Sequence, residues 1–282
     1  MRRPVFAAAF AALLVVVTLP AAAQRSAHDY EPQVGQAGKD VIWVPTPDAV
    51  VERMLRMAQV SAADYVVDLG AGDGKIASAA ARHFGARALG IEFNPDMVAF
   101  AQRAAEQAGV ADRARIVQGD IFATDFSRAT VVTMYLLPAL NLRLRPTILG
   151  LRPGTRVVSH SFSMDDWEPD ELSAVGGRRI YFWVVPAQVA GAWSLERAGG
   201  DAAAATELTL EQHYQHIEGT VSLGPVLAGL RDPRLQGDRI SFAYVDARGL
   251  RVEFNGRVDG RRMEGRFRAS DGGEGRWTAG KK

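Results

Sequence analysis

Three glycines at alternate positions follow a short apolar segment in the first third of the chain. Gly70, Gly72 and Gly74 come directly after residues 65–69, which read as a β-strand, and directly before a helix-forming stretch. Glycine lets the backbone turn sharply and lets a ligand lie against it, because no Cβ is in the way. The first turn of the following helix offers unpaired N–H groups to a polar ligand. The pattern predicts a turn that binds a small polar molecule.

The spacing of the glycines separates two kinds of nucleotide-binding turn. The turn of dinucleotide-binding dehydrogenases has the pattern Gly-x-Gly-x-x-Gly, whereas here the third glycine comes one residue earlier. An acidic residue, Asp68, also precedes the turn on the strand. A nicotinamide-dependent oxidoreductase is therefore a disfavoured interpretation.

Two further carboxylates follow the next two predicted strands. Glu92 lies eighteen residues after Gly74, where a carboxylate can accept hydrogen bonds from both hydroxyls of a ribose. Asp120 follows the third strand, where it can accept a hydrogen bond from an adenine amino group, and the neighbouring Ile121 and Phe122 can flank the ring. The glycines and the two acids lie at consecutive strand ends and together indicate a ligand that contains adenosine.

Strands and helices alternate over the region that carries these residues. Such alternation implies parallel pairing with right-handed crossovers, and therefore an open, doubly wound α/β sheet. The helix before the glycine turn is expected to have Thr46 as its N-cap and Pro47 as its first residue. The predicted strands cover residues 65–69, 88–92, 115–118, 130–134 and 155–159, and the helices after the turn cover 75–84, 95–108 and 140–149.

The pattern changes near Ala187, where helical periodicity gives way to short alternating segments between glycines. Such segments are typical of a small antiparallel sandwich or barrel. A Gly- and Ala-rich stretch at 199–205 reads as a linker. We therefore expect a ligand-binding domain over residues 43–198 and an antiparallel β module over residues 199–282. The predicted strands are 207–212, 215–221, 239–245, 250–258, 262–267 and 275–279, and Trp193 and Trp277 are interpreted as core residues.

The N-terminal residues have the three parts of a secretory signal. Two arginines precede an apolar run that ends at Leu19, and small residues up to Ala23 offer a cleavage site. We expect a signal peptide over residues 1–23, a flexible leader over 24–42, and a periplasmic or secreted protein. The alternative is an uncleaved anchor in the inner membrane, since the apolar run approaches the roughly 20 residues that span a bilayer.

Charge and cysteine content argue against several classes of protein. The formal net charge is +1, and it becomes −1, with 31 basic against 32 acidic residues, if residues 1–23 are removed. This balance gives no indication of a nucleic-acid-binding surface. The chain contains no cysteine, which excludes disulfides, thiolate metal sites and a cysteine nucleophile. No metal site is predicted.

Three motifs at the ends of the predicted strands resemble the first three motifs of class I S-adenosylmethionine-dependent methyltransferases. They are VDLGAGDG at 67–74, GIEFNP at 90–95 and GDIF at 119–122. A finer likeness comes from VPTP at 44–47, YLLP at 135–138 and VSHSF at 158–162. These are similar to the branch that contains the small protein-lysine methyltransferases and their bacterial relatives. The resemblance implies a Rossmann-like methyltransferase fold, S-adenosylmethionine as cofactor, and methyl transfer to a nitrogen acceptor, with protein lysine favoured.

Carried over by position, the resemblance implies roles for individual residues. The implied cofactor-binding residues are Thr46, Asp68, Gly70, Gly72, Gly74, Glu92, Asp120 and Ile121. Among them, the glycines would lie along the methionine part and the ribose, Asp68 would orient the methionine end, and Glu92 would hold the ribose. Asp120 would hold the adenine, and Thr46 would close over the amino-acid end of the cofactor.

Two residues at strand ends are candidates for catalysis. A lysine acceptor must lose its proton, because an ammonium with a pKa near 10.4 has no lone pair to donate. Tyr135 is placed to pack against the acceptor, and His160 is placed to take up the proton. The alternative is structural, with Tyr135 capping the sheet and His160 satisfied in the interior. The Asn/Asp-Pro-Pro-Tyr run of enzymes that methylate amide or adenine nitrogens is absent from the fourth strand end.

Two other functions remain open at this stage. One is a binding protein that keeps the cofactor fold without turnover and recognises a partner through its β module. The other is a methyltransferase that acts on a small molecule.

Overall fold

The computed structural model describes residues 30–198 and 205–282. The predicted signal peptide, the first residues of the predicted leader and nearly all of the predicted linker at 199–205 lie outside the described residues. No helix in the described ranges is both long enough and apolar enough to cross a membrane.

The first unit is a seven-stranded sheet flanked by helices. Its elements are α1 Asp48–Met57, β1 Tyr65–Leu69, α2 Lys75–Phe84, β2 Arg87–Glu92, α3 Pro95–Gln107, β3 Ala114–Gln118, β4 Val131–Met134, α4 Pro138–Leu149, β5 Arg156–His160, β6 Glu171–Val175 and β7 Arg178–Val184. The strand order is β3-β2-β1-β4-β5-β7-β6. β1 to β5 are mutually parallel, and β7 runs antiparallel to both of its neighbours, β5 and β6. The predicted doubly wound, mostly parallel sheet is confirmed.

The strand order changes direction at β1, and this fixes where a ligand can bind. The chain runs outward from β1 to β2 and β3, then crosses back to place β4 on the other side of β1. In open α/β sheets, ligands bind in the crevice at the carboxyl ends of the strands beside such a reversal. The carboxyl ends of β1 and β4 therefore mark the expected site.

The central strands are apolar because helices cover both faces of the sheet. Val66, Val67, Val131 and Val132 are fully buried. The start of α3 is set by Asn94, whose side chain accepts hydrogen bonds from the first N–H groups of the helix, as an N-cap residue does.

The β6–β7 hairpin was not predicted from the sequence. Gly176 and Gly177, with φ of 55° and 77°, form its two-residue turn, and two consecutive positive φ values are the signature of a favoured hairpin turn. Ile180 and Trp183 on β7 are fully buried, so the hairpin extends the core beyond β5.

The second unit is one antiparallel sheet of nine strands. Its strands are β8 Gly191–Ala198, β9 Thr206–His213, β10 His216–Leu223, β11 Val226–Gly229, β12 Arg231–Gln236, β13 Arg239–Val245, β14 Arg251–Asp259, β15 Arg262–Ala269 and β16 Glu274–Lys281. The order is β11-β10-β9-β8-β16-β15-β14-β13-β12. The sheet curls until β10 approaches β12, and its inner side is apolar. Trp193 and Trp277 lie there, 0% and 1% exposed, as predicted.

The boundary between the two units lies before the position drawn from the sequence. β8 pairs with β9 and β16, so the β module begins at Gly191 rather than at residue 199. The Gly- and Ala-rich stretch lies in the chain between β8 and β9, which are paired strands of the same sheet. It therefore does not mark the boundary between the two units.

The turn between β9 and β10 joins the two units. The Trp167 indole donates to Gln215 at 2.9 Å, and the Gln215 amide donates to the carbonyl of Glu168 at 2.8 Å. The Tyr214 ring stacks on the Trp167 ring at 5.8 Å, and its hydroxyl donates to Asp166 at 3.0 Å. Trp167 is fully buried, so the contact forms part of the core.

Candidate active site

A cavity of about 330 Å³ lies at the carboxyl ends of β1, β2 and β4. Pockets of this size are typical of small-molecule and cofactor sites. The sequence-predicted residues that line it are Thr46, Asp68, Gly70, Gly72, Glu92, Asp120, Ile121 and Tyr135. The structure therefore brings together eight of the ten predicted site residues. Gly74 and His160 do not line the cavity.

The glycine turn forms the floor of the cavity and needs its glycines. Gly70 and Gly72 have φ of +75° and +53°, in the left-handed region that other residues rarely adopt. A Cβ on Gly72 would lie 2.6 Å from Nε1 of Trp43, and one on Gly70 would lie 2.9 Å from a methyl group of Leu136. Any side chain at either position would therefore strain the backbone and collide with a neighbouring residue.

Gly74 has a different role from the one implied by resemblance. It is the residue before α2 and has φ of +74°. A Cβ there would meet Ala101 at 3.0 Å and Ile116 at 3.2 Å, in the core beneath the turn. Gly74 therefore allows helix and sheet to pack closely, and it does not face the cavity.

Glu92 is fixed beside the turn by two backbone donors. One carboxylate oxygen accepts from the N–H of Gly72 at 2.9 Å, and the other accepts from the N–H of Asn94 at 2.9 Å. Each carboxylate oxygen can accept a second hydrogen bond. Glu92 therefore keeps acceptor capacity for two vicinal hydroxyls on a ligand that lies along the turn.

Asp120 lies at the end of β3 and is held in place in a similar way. One oxygen accepts from the N–H of Phe122 at 2.9 Å, and the other accepts from the Lys39 ammonium at 2.7 Å. The Lys39 hydrogen bond is the main cause of the lowered pKa of Asp120. Ile121 and Phe93 also line this part of the cavity and supply apolar surface for a flat ring.

Asp68 is buried at the bottom of the cavity, 2% exposed. It accepts a hydrogen bond from the Thr133 hydroxyl at 2.7 Å. Burial raises the pKa of Asp68 to about 7, Thr133 opposes the shift, and the charges of Asp73 and Glu92 add to it. A cation bound beside Asp68 favours the ionised carboxylate.

Residues 36–46, here called the strap, pass over the cavity, and all eleven line it. The N–H of Trp43 donates to the carbonyl of Gln36 at 2.9 Å, and Lys39 lies 4.7 Å from the centre of the Phe93 ring. The sequence interpretation assigned most of the strap to a flexible leader ending at residue 42. Apolar residues from Val41 to Val44 directly before Pro45 are the signal that it missed.

His160 lies behind the cavity wall. It is fully buried, its ring centre is 3.9 Å from that of Tyr135, and its Nδ1 is 3.2 Å from the Thr46 hydroxyl. Burial lowers the pKa of His160 to about 4, with a smaller contribution from the charge of Arg178. A neutral, enclosed imidazole is poorly placed to take a proton from an acceptor in the cavity, contrary to the role expected from the sequence.

Thr46 also differs from its expected role in the helix. The residue before α1 is Pro47, and no side chain caps the helix. The Thr46 hydroxyl contacts His160 instead, so Thr46 links the strap to the end of β5.

Comparison with known proteins identifies the family. The family model of the ANTKMT methyltransferase domain matches residues 68–171. A protein-lysine N-methyltransferase from Saccharolobus islandicus is 45% identical over 151 residues, which is 51% of this chain and 94% of that protein. The adenine nucleotide translocase lysine N-methyltransferase of Mus musculus is 31% identical over 43% of this chain and 53% of that protein.

A solved structure extends the likeness to the fold and the ligand. An RNA methyltransferase from Salinibacter ruber, crystallised with S-adenosyl-L-homocysteine, is 50% identical, has a TM-score of 0.51, and is matched over 52% of this chain and 96% of its own. The glycine turn, the free acceptor capacity of Glu92 and the position of Asp120 fit S-adenosylmethionine, which is the cofactor. The chain therefore belongs to the class I S-adenosylmethionine-dependent methyltransferases, in the branch that contains the small protein-lysine methyltransferases.

Proposed function

We propose that the protein methylates the side-chain nitrogen of lysine in a protein substrate. The observation that carries this proposal is the 45% identity to the Saccharolobus islandicus protein-lysine N-methyltransferase across 94% of that protein. The bound cofactor supplies the electrophilic methyl group. The chain's own residues then have two tasks. They bind the cofactor, and they bind the substrate lysine with its side-chain amine uncharged.

The cavity wall near the end of β4 suits the second task. Tyr135, Leu137, Leu140 and Phe162 line it, and the rings of Tyr135 and Phe162 stack at 6.2 Å. An apolar environment lowers the pKa of the substrate ammonium, so its proton is released to water. The amine nitrogen then bonds to the methyl carbon as the bond from that carbon to sulfur breaks, which leaves S-adenosylhomocysteine. An aromatic face also attracts a cationic side chain as it enters. Tyr135 is thus proposed as the residue that contacts the acceptor.

His160 is proposed to position Tyr135 rather than to accept the proton. Its ring packs against Tyr135 and its Nδ1 contacts Thr46. The pH profile of methyl transfer should therefore show no step from His160 near neutrality, because its pKa is about 4.

For the cofactor, the proposed contacts follow the geometry of the cavity. Glu92 holds the ribose, Asp120 and Ile121 hold the adenine, and Asp68 faces the positively charged methionine end. Gly70 and Gly72 allow the cofactor to lie against the backbone. Thr46, from the strap, closes over the amino-acid end.

The test is a transfer assay with methyl-labelled S-adenosylmethionine. The purified protein is incubated with cell-envelope proteins, and label in protein is mapped to residues by mass spectrometry. Label on lysine that is lost with Tyr135→Ala, while Tyr135→Ala still binds S-adenosylmethionine, supports the proposal. A parallel reaction with protein-free RNA tests the activity named for the Salinibacter ruber relative, which is RNA methylation. If label appeared only in RNA, the acceptor would be RNA and not lysine.

Export is proposed separately, on the N-terminal pattern of residues 1–23. Fractionation of cells that produce the tagged chain would place it in the periplasm or medium if the signal is cleaved, and in the inner membrane if it is retained. Recovery of the full-length chain in the cytoplasm would contradict both a cleaved signal peptide and an uncleaved membrane anchor. An exported enzyme would also need S-adenosylmethionine outside the cytoplasm.

A further inference from the structure

An open groove of about 750 Å³ lies on the outer side of the β module. We call it the arginine groove. The arginines that line it are Arg234, Arg239, Arg257, Arg266 and Arg276, from the five adjacent strands β12 to β16. Their strand neighbours, among them Val258, Phe267 and Trp277, are buried on the inner side. Since alternate residues of a strand face opposite sides, the groove lies on the polar side of the sheet.

Two pairs of these arginines lie directly opposite each other on neighbouring strands. Arg239 is in register with Arg257, and Arg266 is in register with Arg276. Like charges in directly opposed positions destabilise a sheet. Arg257 is paired with Asp238 at 2.5 Å. Within the described part of the chain, no carboxylate pairs with the other four arginines of the groove.

Positive charge is concentrated on this half of the module. Residues 231–282 contain thirteen basic and eight acidic residues, whereas residues 187–230 contain one basic and five acidic. The whole chain has a net charge of only +1. The groove is therefore a local anion-attracting surface on a nearly neutral protein, and an anionic ligand would relieve the repulsion between its opposed arginines.

The other groups in the groove indicate which anion fits. Gln236, Ser241 and Asn255 supply neutral donors and acceptors, and Glu264 supplies an acceptor held by Arg262 at 3.0 Å. Glu264 can accept a hydrogen bond from a peptide N–H, a donor that a phosphate backbone lacks. No aromatic ring is among the residues that line the groove, although single-stranded nucleic acids usually stack on such rings. We propose that the arginine groove binds an acidic segment of a protein partner.

This proposal does not depend on the acceptor of methyl transfer. It requires only the β module and is tested by binding, so its failure would leave the lysine proposal untouched, and the reverse also holds.

The experiment measures binding of a fluorescein-labelled peptide of alternating Glu and Gly to the purified protein by fluorescence anisotropy. Arg266→Gln combined with Arg276→Gln should weaken binding by about tenfold or more, because hydrogen bonds between charged groups are the strong ones. Arg248→Gln is the matched control, since Arg248 is exposed and lies outside the groove. Binding by Arg248→Gln should match that of the unchanged protein.

A second variant separates binding from folding. Arg276→Glu places an acid opposite Arg266, so it should raise the melting temperature while it weakens peptide binding. No binding of the peptide, or equal loss in Arg248→Gln, would overturn the proposal. Tighter binding of an oligouridylate of equal charge, lost in the double variant, would also overturn it in favour of nucleic acid. A lower melting temperature for Arg276→Glu would contradict the repulsion on which the argument rests.

Discussion

The two units of this protein use charge in opposite ways. In the first unit, carboxylates at strand ends are buried or held by backbone N–H groups around a cavity that the strap partly encloses, as Asp68 and Glu92 show. In the β module, guanidinium groups stand on the outer face of a sheet, where Arg266 and Arg276 oppose each other without an acidic partner. An enclosed site can select one small molecule by shape, whereas an exposed face can attract a flexible charged chain.

The largest expected effect concerns the buried carboxylate. The pKa of Asp68 is about 7, above its ordinary value of 3.8. Between about pH 4 and pH 7 the folded protein therefore binds a proton that the unfolded chain has lost, and stability falls as the pH rises through that range. Asp68→Asn should raise the free energy of unfolding at pH 8 by up to about 4 kcal/mol and have little effect at pH 4.

Urea denaturation of the cofactor-free protein at both pH values measures this effect. Asp259→Asn, at an exposed carboxylate at the end of β14, is the control and should leave the pH dependence unchanged. If Asp68→Asn and the unchanged protein lost stability equally between pH 4 and pH 8, Asp68 would be open to water. The contrast between buried carboxylates in the first unit and exposed arginines in the β module would then not hold.

Glu92→Ala should weaken binding of S-adenosylmethionine by about 1–3 kcal/mol, the cost of losing hydrogen bonds to a charged acceptor. Glu92→Gln keeps part of the acceptor capacity and should lose less. Isothermal titration calorimetry measures both, and Arg266→Gln in the groove should bind the cofactor normally. A parallel titration with NADH completes the test, because selective NADH binding would contradict the cofactor assignment.

The affinities of the two sites for their ligands should depend differently on salt concentration. Exposed charges are screened over a Debye length that shrinks from about 10 Å at 0.1 M to about 3 Å at 1 M salt. Over that range, binding of the Glu-Gly peptide to the arginine groove should fall by about tenfold, whereas binding of S-adenosylmethionine in the enclosed cavity should change by less than about twofold. Equal salt dependence at the two sites would remove the distinction between them.

The smallest expected effect is at the strap. Lys39→Met removes the ion pair with Asp120, whose two side chains are 36% and 30% exposed. Cofactor affinity should fall by only about 0.2–1 kcal/mol, as for other exposed ion pairs. Calorimetry at low salt measures the change, with Arg53→Met, in the ion pair of Arg53 with Glu171 outside the cavity, as the comparison. A loss as large as that of Glu92→Ala would mean that the strap, rather than the strand ends, holds the adenosine.

Residues close together in the chain made the first unit predictable. The bounds of β1 and α2 agree with the sequence prediction, because apolar strands covered on both faces and Ala-rich amphipathic helices have distinct patterns. Gly70, Glu92, Asp120 and Tyr135 were found because each lies at or just after a strand end within a recognisable motif. Gly74 was misassigned because spacing alone does not show that its missing Cβ faces Ala101 and Ile116.

Features that depend on contacts distant in sequence were not predicted. The strap folds against the cavity through contacts of Lys39 and Trp43 with residues far along the chain, and its polar first part resembles a loose leader. His160 is neutral because of enclosure, which the sequence does not display. The arginine groove required the register of five strands, since only that register places Arg239 opposite Arg257 and Arg266 opposite Arg276.

The turn that joins the two units connects the β module to a segment close to the cavity wall. Phe162 lines the cavity, and five residues later Trp167 is stacked on Tyr214 and bonded to Gln215 of the module. Deleting the β module, to leave a chain as short as the smaller relatives, would therefore expose one face of the buried Trp167 indole to solvent. A partner bound to the module would therefore hold a unit whose contact with Trp167 lies only five residues along the chain from the cavity wall at Phe162.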